Sequence, residues 1–216
     1  MSKRFYWKKI RPILISVVTC SIIFFIILAI VSNRTGNLTV YVDRSSITKS
    51  LSLSETQDLK HRAGKLIGPS ITKAWDTTGK LIPGDLYLLD GDNSSDRYLA
   101  YTFYVTNTGS EALDYSMSFN IKNVSNKLDD VLRVRLYVNN NLTEYSKINP
   151  NTNQPETDTT AFESEDVITS HTITDFKPED VTKYTIVLWV EGEETTNEQI
   201  GGSITLAIAF NVLGVL

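Results

Sequence analysis

The clearest pattern in this sequence is a strict alternation of apolar and polar residues from Leu113 to Ile121. Successive side chains of a β-strand point to opposite faces of a sheet, so this alternation predicts a strand with one buried and one solvated face. The same period recurs in segments that begin at Leu99, Leu132, Tyr184 and Ile204. Shorter candidate strands are Leu38–Val42, Ile47–Leu53, Asp85–Leu89 and Leu142–Lys147.

Turn-forming residues separate these segments, as in Asn107-Thr108-Gly109 and Pro83-Gly84-Asp85. About eight or nine short strands joined by polar turns favour an all-β fold, a single antiparallel β-sandwich of the jelly-roll or immunoglobulin-like kind. Two segments depart from the strand period. A capping-box pattern at Ser54 predicts a short helix through Arg62, and Ile148–Ser164, which has few apolar residues, is expected to be a long surface loop.

An uncharged apolar segment, Ile13–Val31, precedes the β-rich region. At 1.5 Å per residue a helix of this length spans roughly 28 Å, close to the thickness of a bilayer's hydrocarbon core. Five basic residues precede the segment and only Arg34 closely follows it, so the positive-inside rule places Met1–Pro12 in the cytoplasm. The predicted organisation is a cytoplasmic segment (1–12), a transmembrane signal-anchor helix (13–31), a linker with the first strand (32–45) and an extracellular β-sandwich (46–216). We therefore expect a single-pass plasma-membrane protein with its C-terminal domain outside the cell.

A cleaved signal peptide is the alternative interpretation, and it would make the protein secreted. The apolar core of a signal peptide usually has 7–15 residues, and the segment here is longer. Val17-Val18-Thr19-Cys20 has some likeness to a lipoprotein signal, but a long apolar run follows it. We therefore interpret Cys20 as a small apolar residue of the spanning helix.

Charge is distributed unevenly along the 216 residues, which carry a formal net charge of -4. Five of the 21 basic residues and none of the 25 acidic ones lie in the first 33 residues, so the remainder has 16 bases against 25 acids, a net charge of -9. An acidic body without a basic stripe argues against nucleic acid as a partner. The chain has one Cys and two His, too few for the usual zinc sites.

Catalytic constellations are not evident. His61 and His171 both lie in polar stretches, lack the spacing of a zinc-protease helix and are interpreted as solvated loop residues. No Gly-x-Ser-x-Gly nucleophile motif is present. Acidic groups such as Asp129-Asp130, Glu163 with Glu165, and Glu191 with Glu193 and Glu194 are interpreted as solubilising. The expectation is that the protein is not an enzyme.

One loop has the composition of a calcium site, with oxygen-bearing side chains at alternate positions in Asp90, Asp92, Ser94 and Asp96. Calcium takes six to eight oxygen ligands, and alternate positions of a curved loop can present them inward. The Gly and Glu that an EF-hand requires at its later positions are missing here. An ordinary polar connection between two strands explains the same residues, and no other cofactor is expected.

The strand from Lys183 to Glu191 is apolar on both faces. This predicts a central strand, or one that lies under a loop. The alternative is that Trp189 stacks on a sugar.

The motifs Pro83-Gly84-Asp85, Tyr101 to Gly109 and Tyr115 to Phe119 together resemble the core pattern of the camelysin and TasA group of exported Gram-positive proteins. The resemblance covers roughly Leu81 to Leu216 and consists of turn and strand residues. It implies a jelly-roll-like sandwich at the cell surface, which in some members assembles into biofilm-matrix fibres. Metalloprotease activity has also been associated with camelysin-type proteins.

Three functions follow as hypotheses. The first is a structural or adhesive surface protein that assembles by strand exchange, with the strand bearing Leu38, Val40 and Val42 as the donor. Its partners are the membrane, through residues 13–31, and copies of itself or other matrix proteins. The second is a carbohydrate- or peptide-binding module, and the third, disfavoured, is a surface hydrolase.

Overall fold

The structure, a computed structural model, describes residues 16–22, 38–47, 50–68 and 77–216. The chain forms two compact units, Met1–Thr35 and Gly36–Leu216. In the first unit residues 16–22 are helical, and the rest of the predicted span Ile13–Val31 lies outside the described residues. Within the described ranges, no helix combines the length and the apolar character that a membrane span requires.

The second unit is built from β-strands, which confirms the predicted all-β class. Its strands are β1 (Leu38–Val42), β2 (Leu51–Ser54), β3 (Arg62–Ala63), β4 (Lys65–Gly68), β5 (Gly91–Asp92), β6 (Tyr98–Asn107), β7 (Leu113–Val124), β8 (Leu132–Val138), β9 (Asn141–Ser146), β10 (Thr160–Ala161), β11 (Val167–Phe176), β12 (Val181–Val190) and β13 (Ile204–Val215). A short helix, α1 (Arg44–Ile47), follows β1. Single-turn 3₁₀ helices lie at Gly79–Leu81, Leu86–Leu88, Leu128–Val131, Gly192–Glu194 and Asn197–Gln199.

The strands form two sheets. The first has the order β11-β7-β13-β1-β4, and the second has the order β10-β9-β8-β12-β6-β2-β3, with β5 paired to β6. Most neighbours are antiparallel, but β1 runs parallel to β13 and β10 runs parallel to β9. The prediction of a purely antiparallel sandwich is therefore wrong at these two pairs. A parallel β1–β13 pair is possible because the two strands are separated by nearly the whole unit, which serves as their crossover.

The two sheets pack face to face, and the inward residues of the long strands form one core. Its centre is aromatic: the Tyr184 ring stacks on Phe103 with centroids 5.5 Å apart and meets Phe210 edge-on at 5.3 Å. These three rings come from β12, β6 and β13, so they join both sheets. Such ring pairs add to the stability from apolar burial.

A second, smaller cluster covers the outer face of the second sheet. It contains Trp189, Val187, Ala100, Tyr137, Ile82 and Leu86. The last two residues belong to the segment before β5, which lies over β12. The prediction that this strand is central and covered on both faces is confirmed, since β12 lies between β8 and β6 and Trp189 is 1% exposed.

Several local predictions are wrong. Asp85–Leu89 is not a strand but contains a 3₁₀ turn, Leu86–Leu88, because only one of its apolar side chains is buried. The segment from Ser54 to Arg62 forms turns and not a helix. The strand expected at Ile47–Leu53 begins only at Leu51, because Ile47 ends α1. The compact unit Gly36–Leu216 begins before residue 46 and includes β1, and the predicted division of the chain into domains stays a prediction.

The long strand β11 was not expected. It pairs with β7, but its register shifts between Val167 and Thr169 and again between Ile173 and Phe176. Each shift exchanges the faces to which the following residues point. Neighbouring Ile168 and Thr169 are both buried as a result, so no continuous alternation marks this strand in the sequence.

Candidate functional site

The predicted assembly strand lies within the first sheet of its own chain. Its side chains Leu38, Val40 and Val42 point into the core and are 0, 0 and 4% exposed. All five residues of β1 pair with β13, from Leu206 to Phe210, and β4 pairs with its other side. The pattern apolar-polar-apolar therefore fixes which face of β1 is buried, while its two neighbours come from distant parts of the chain.

Asp90, the first residue of the predicted calcium loop, uses both carboxylate oxygens in contacts within the protein. Its Oδ2 accepts a hydrogen bond from the Gln57 backbone N–H at 3.2 Å, and its Oδ1 accepts one from the Tyr104 hydroxyl. The Lys183 ammonium lies 4.0 Å from the same Oδ1. Burial, together with the Asp90 carboxylate, raises the pKa of Tyr104, so this phenol remains protonated and donates to Asp90.

The other predicted ligands stabilise the turn between β5 and β6. Asp92 Oδ1 accepts from the Ser94 backbone N–H at 3.0 Å, which is an Asx turn. The Ser94 hydroxyl accepts from the Ala100 backbone N–H at 2.9 Å, and Asp96 follows in the same turn. Among the residues described, no group of three or more His, Cys, Asp and Glu side chains is arranged to hold a metal ion. Calcium binding by this loop stays a prediction.

The two histidines have different environments. His61 lies exposed in the turn before β3, as expected. His171 does not lie in a loop: it is a half-buried residue of β11, and its Nε2 is 3.0 Å from the Tyr184 hydroxyl. The Tyr115 hydroxyl lies 3.2 Å from the same hydroxyl, so a polar chain runs from the edge of the sandwich into its core. Burial lowers the pKa of His171 and raises the pKa of both tyrosines.

A cleft of about 780 Å³ lies between the loop after β9 and the segment after β12. Its lining is mainly polar: Lys127, Asp130, Val131, Arg133, Lys147, Ile148, Asn149, Pro150, Asn151, Thr152, Pro155, Glu156, Thr157, Glu194, Glu198 and Gln199. Ion pairs between side chains of opposite charge hold the walls of the cleft together.

Arg133 forms the base of this cleft. It is only 3% exposed, and it makes ion pairs with Glu156 and Glu194, which belong to the loops on the two sides. Its Nη1 also donates to the Leu132 carbonyl at 3.0 Å. Burial raises the pKa of Glu156, against the lowering effect of the Arg133 guanidinium. A buried charge requires such pairing, so Arg133 holds both loops over β8.

Lys147 forms a second charged centre on the same cleft. Its ammonium lies 2.6 Å from Asp129, 3.1 Å from Asp130 and 2.8 Å from Glu165. Burial alone would lower the pKa of this ammonium, but the three carboxylates raise it above its usual value. Asp129 is only 5% exposed and forms a structural ion pair, so its interpretation as a solubilising residue is wrong. The Lys127–Glu198 pair on the rim is well exposed and contributes little.

A third polar cluster lies under the 3₁₀ turn Gly79–Leu81. The Glu191 carboxylate accepts from Trp189 Nε1 at 3.0 Å and from the Gly79 backbone N–H at 3.1 Å. The Arg135 guanidinium lies 4.7 Å from the Trp189 ring centroid and bonds to Glu144 at 2.7 Å. Trp189 is therefore covered by groups of the protein itself, whereas a tryptophan that stacks on a sugar must be exposed.

The burial of the two arginines of β8, Arg133 and Arg135, was not predicted from the sequence. The alternation of this strand placed Leu132, Val134 and Leu136 on the buried face, and that much is confirmed. It implied that Arg133 and Arg135 are solvated, whereas loops from distant parts of the chain cover them. The available signal was the excess of Glu after β12, where four of the eight residues from Glu191 to Glu198 are Glu, but the sequence does not say which cations these residues meet.

These features define an all-β protein of two packed sheets, with a charged cleft at one side of the second sheet. No protein-family profile matches the chain, and no curated protein matches it. Among solved structures, the chain has a weak similarity to a β-glucosidase from Kluyveromyces marxianus in complex with glucose. The identity is 11%, the TM-score is 0.26, and the match covers 82% of this chain and 17% of that chain.

A selenomethionine-labelled structure of the same β-glucosidase matches with 12% identity and a TM-score of 0.25, over 73% of this chain and 16% of that chain. The matched region is thus less than a fifth of the glucosidase. Similarities at this level carry no argument about the fold or the function of the present protein.

Proposed function

We propose that this protein is a cell-surface structural or adhesive protein of the camelysin/TasA-like kind. It is anchored by a transmembrane helix at Ile13–Val31, or released if that segment is cleaved, and it presents a jelly-roll-like sandwich outside the cell. The support is the basic-then-apolar N-terminus, the acidic body and the turn motifs quoted above.

The observation that carries an assembly role is the position of β1. This strand comes first in the compact unit, yet it lies between β13 and β4 and contributes three buried side chains to the core. Only the connection from Asp43 to Ser50 joins it to β2. A β1 strand from a neighbouring copy would make the same contacts, so exchange costs little once two copies are held close together.

A pair of cysteines tests this exchange directly. Thr39 and Ile67 are opposite each other in the antiparallel β1–β4 pair, and a directly opposite pair has the Cα separation that a disulfide needs. The variant Thr39→Cys with Ile67→Cys is prepared with Cys20→Ser, which removes the native thiol. If β1 is exchanged in assemblies, oxidation gives a non-reducing ladder in multiples of the 24.2 kDa chain.

Each single-cysteine variant is the matched control, since it forms no product larger than a dimer. A doubly substituted protein that assembles, yet gives only an internally linked monomer after oxidation, contradicts exchange of β1.

The cleft supports a second candidate function, the capture of a carbohydrate or peptide. Amide and hydroxyl side chains such as Asn149, Asn151 and Thr152 line it. These groups both donate and accept hydrogen bonds, as a sugar or a peptide requires. A glycan array tests this role, with Asn151→Ala expected to reduce any signal at least several-fold. The control is Asn123→Ala, an exposed change on β7, and a signal equally reduced in both variants contradicts binding at the cleft.

A further inference from the structure

β11 is an edge strand of the first sheet, since it pairs with β7 and with no other described strand. It has ten residues, and no Lys, Arg, Asp or Glu occurs from Val167 to Thr174. Natural proteins usually protect edges with charges, prolines or very short strands, because an open edge is a template for pairing with another chain. The two register shifts lie near the ends of β11 and leave its centre regular.

The direction of the backbone groups in this central part follows from one contact. The Ser170 backbone N–H donates to Glu163, so it points away from β7. Backbone groups of an antiparallel strand alternate between its two sides. The N–H and C=O groups of Ser170 and Thr172 therefore point outward, as does the N–H of Thr174. The Asp175 N–H donates to Asp114 of β7 at 2.9 Å, so the Thr174 C=O of the same trans peptide points outward too. The side chains of Ser170, Thr172 and Thr174 are all exposed.

Glu163 occupies part of this edge. Its Oε1 accepts from the Ser170 backbone N–H at 2.6 Å, and its Oε2 accepts from the Ser170 hydroxyl at 2.8 Å. The Thr169 hydroxyl donates to Oε1 at 3.2 Å. A tight turn, in which the Glu163 N–H donates to the Ile168 carbonyl at 3.3 Å, holds the carboxylate there. Burial alone would raise the pKa of Glu163, but these hydrogen bonds lower it, so the carboxylate is ionised at neutral pH.

We propose that β11 is a self-association edge, that it pairs antiparallel with β11 of a second copy about a two-fold axis at Thr172, and that Glu163 limits this pairing. Edge pairing of this kind extends the five-stranded sheet across two molecules. It is independent of strand exchange, because β1 and β4 lie on the other side of β7 in the sheet order.

A second copy is the occupant that the edge chemistry fits. The two-fold axis places Thr172 opposite Thr172 and Ser170 opposite Thr174, so uncharged hydroxyl residues meet each other. Thr–Thr and Thr–Ser pairs across strands are favourable. The flanking Asp175 would face Thr169, whose hydroxyl donates to Glu163, so the Glu163 carboxylate also repels this partner. A strongly charged peptide would find no complementary charge between residues 167 and 174.

Glu163 competes directly with this partner. In the two-fold arrangement the Ser170 N–H would donate to the Thr174 carbonyl of the second copy, in the place that the Glu163 carboxylate now occupies. A hydrogen bond to a charged group is worth roughly tenfold or more in an equilibrium constant. Because each copy must release one Glu163, its removal is expected to raise the dimer association constant about a hundredfold.

The test uses the full chain with Cys20→Ser, extracted in mild detergent because of its apolar N-terminal segment. Thr172→Cys is oxidised in the native, Glu163→Ala and Glu163→Gln backgrounds over a range of protein concentrations, and the disulfide-linked dimer is measured on non-reducing gels. We expect a dimer in all three, with the concentration for half-linkage lowered by about a hundredfold in Glu163→Ala. Glu163→Gln, which keeps a neutral acceptor, is expected to lower it to a smaller extent.

Thr174→Cys is the matched control, since it lies on the same strand and face but would be opposite Ser170 and far from its own copy. It is expected not to link, whereas a mixture of Ser170→Cys and Thr174→Cys proteins links. Thr172→Lys in the Glu163→Ala background is expected to return the protein to monomer in sedimentation. The proposal is overturned if folded Glu163→Ala and Glu163→Gln proteins give no Thr172→Cys dimer, if Thr174→Cys links equally, or if Thr172→Cys links only to a different polypeptide.

Discussion

Replacement of Arg133 by Met removes the cation that joins both walls of the cleft. Arg133 is 3% exposed, and its partners Glu156 and Glu194 are 37 and 39% exposed. Removal of one member of a fully buried ion pair costs about 3–5 kcal/mol because the remaining charge has no partner. Water reaches both carboxylates here and offsets part of this cost, so we expect a loss of about 2–3 kcal/mol in the free energy of unfolding.

Urea denaturation of the Gly36–Leu216 unit measures this loss. If the free energy of unfolding falls by about 2–3 kcal/mol per M of urea, the midpoint of unfolding should fall by about 1 M in Arg133→Met. Lys127→Met is the matched control, because it removes a cation from the same cleft whose pair with Glu198 is exposed on both sides. Its midpoint should change by less than about 0.2 M.

A triple variant separates lost charge pairing from lost packing. Arg133→Met with Glu156→Gln and Glu194→Gln leaves no unpaired carboxylate in the cleft, so it should recover much of the stability that the single variant loses. Equal midpoints for the single and triple variants would refute the reasoning. So would a single variant as stable as the native protein.

Three further predictions concern individual side chains. The pKa of His171 is lowered from 6.5 in the folded state, so below that pH the unfolded chain binds more protons than the folded chain. The free energy of unfolding should therefore fall as the pH drops below about 6.5. Urea titrations at pH 5 to 7 measure this dependence, which His171→Gln should flatten. Glu191→Ala leaves the N–H groups of Trp189 and Gly79 without their acceptor. It should lower the free energy of unfolding by about 1–3 kcal/mol and change the tryptophan emission. An unchanged urea midpoint would contradict the contacts described. Calcium at about 10 mM should leave the melting temperature unchanged, because Asp90, Asp92 and Ser94 already accept hydrogen bonds within the protein. A rise that Asp92→Ala abolishes would instead support the calcium site.

The strand periods were the most reliable information in the sequence. Five long strands were found where apolar and polar residues alternate, because a strand with one buried face requires that pattern whatever its neighbours are. The failures have local causes. β11 was missed because its two register shifts interrupt the alternation. Asp85–Leu89 was misassigned because only Leu86 and Tyr87 of this segment pack on the Trp189 cluster, from outside the sheet.

The site depends far more on tertiary structure. Arg133 meets residues 23 and 61 positions away in the chain, and Glu191 meets the Gly79 backbone across 112 positions. No spacing rule connects such residues, because their distances are set by the order of strands and by the loops that cross them. The same holds for His171, whose polar sequence neighbours suggested solvent, although its ring lies against Tyr184.

The sequence by itself determined the all-β class, the buried face of each regular strand and the charge asymmetry between the N-terminus and the body. These properties depend on which residues are apolar and on a short repeat, and both can be read along the chain. Only the tertiary structure decided that β1 pairs parallel with β13, that buried Arg133 holds the two cleft walls through two ion pairs, and that Glu163 covers the edge of β11. Those features arise from contacts between segments far apart in sequence, where strand order, and not residue type, determines which groups meet.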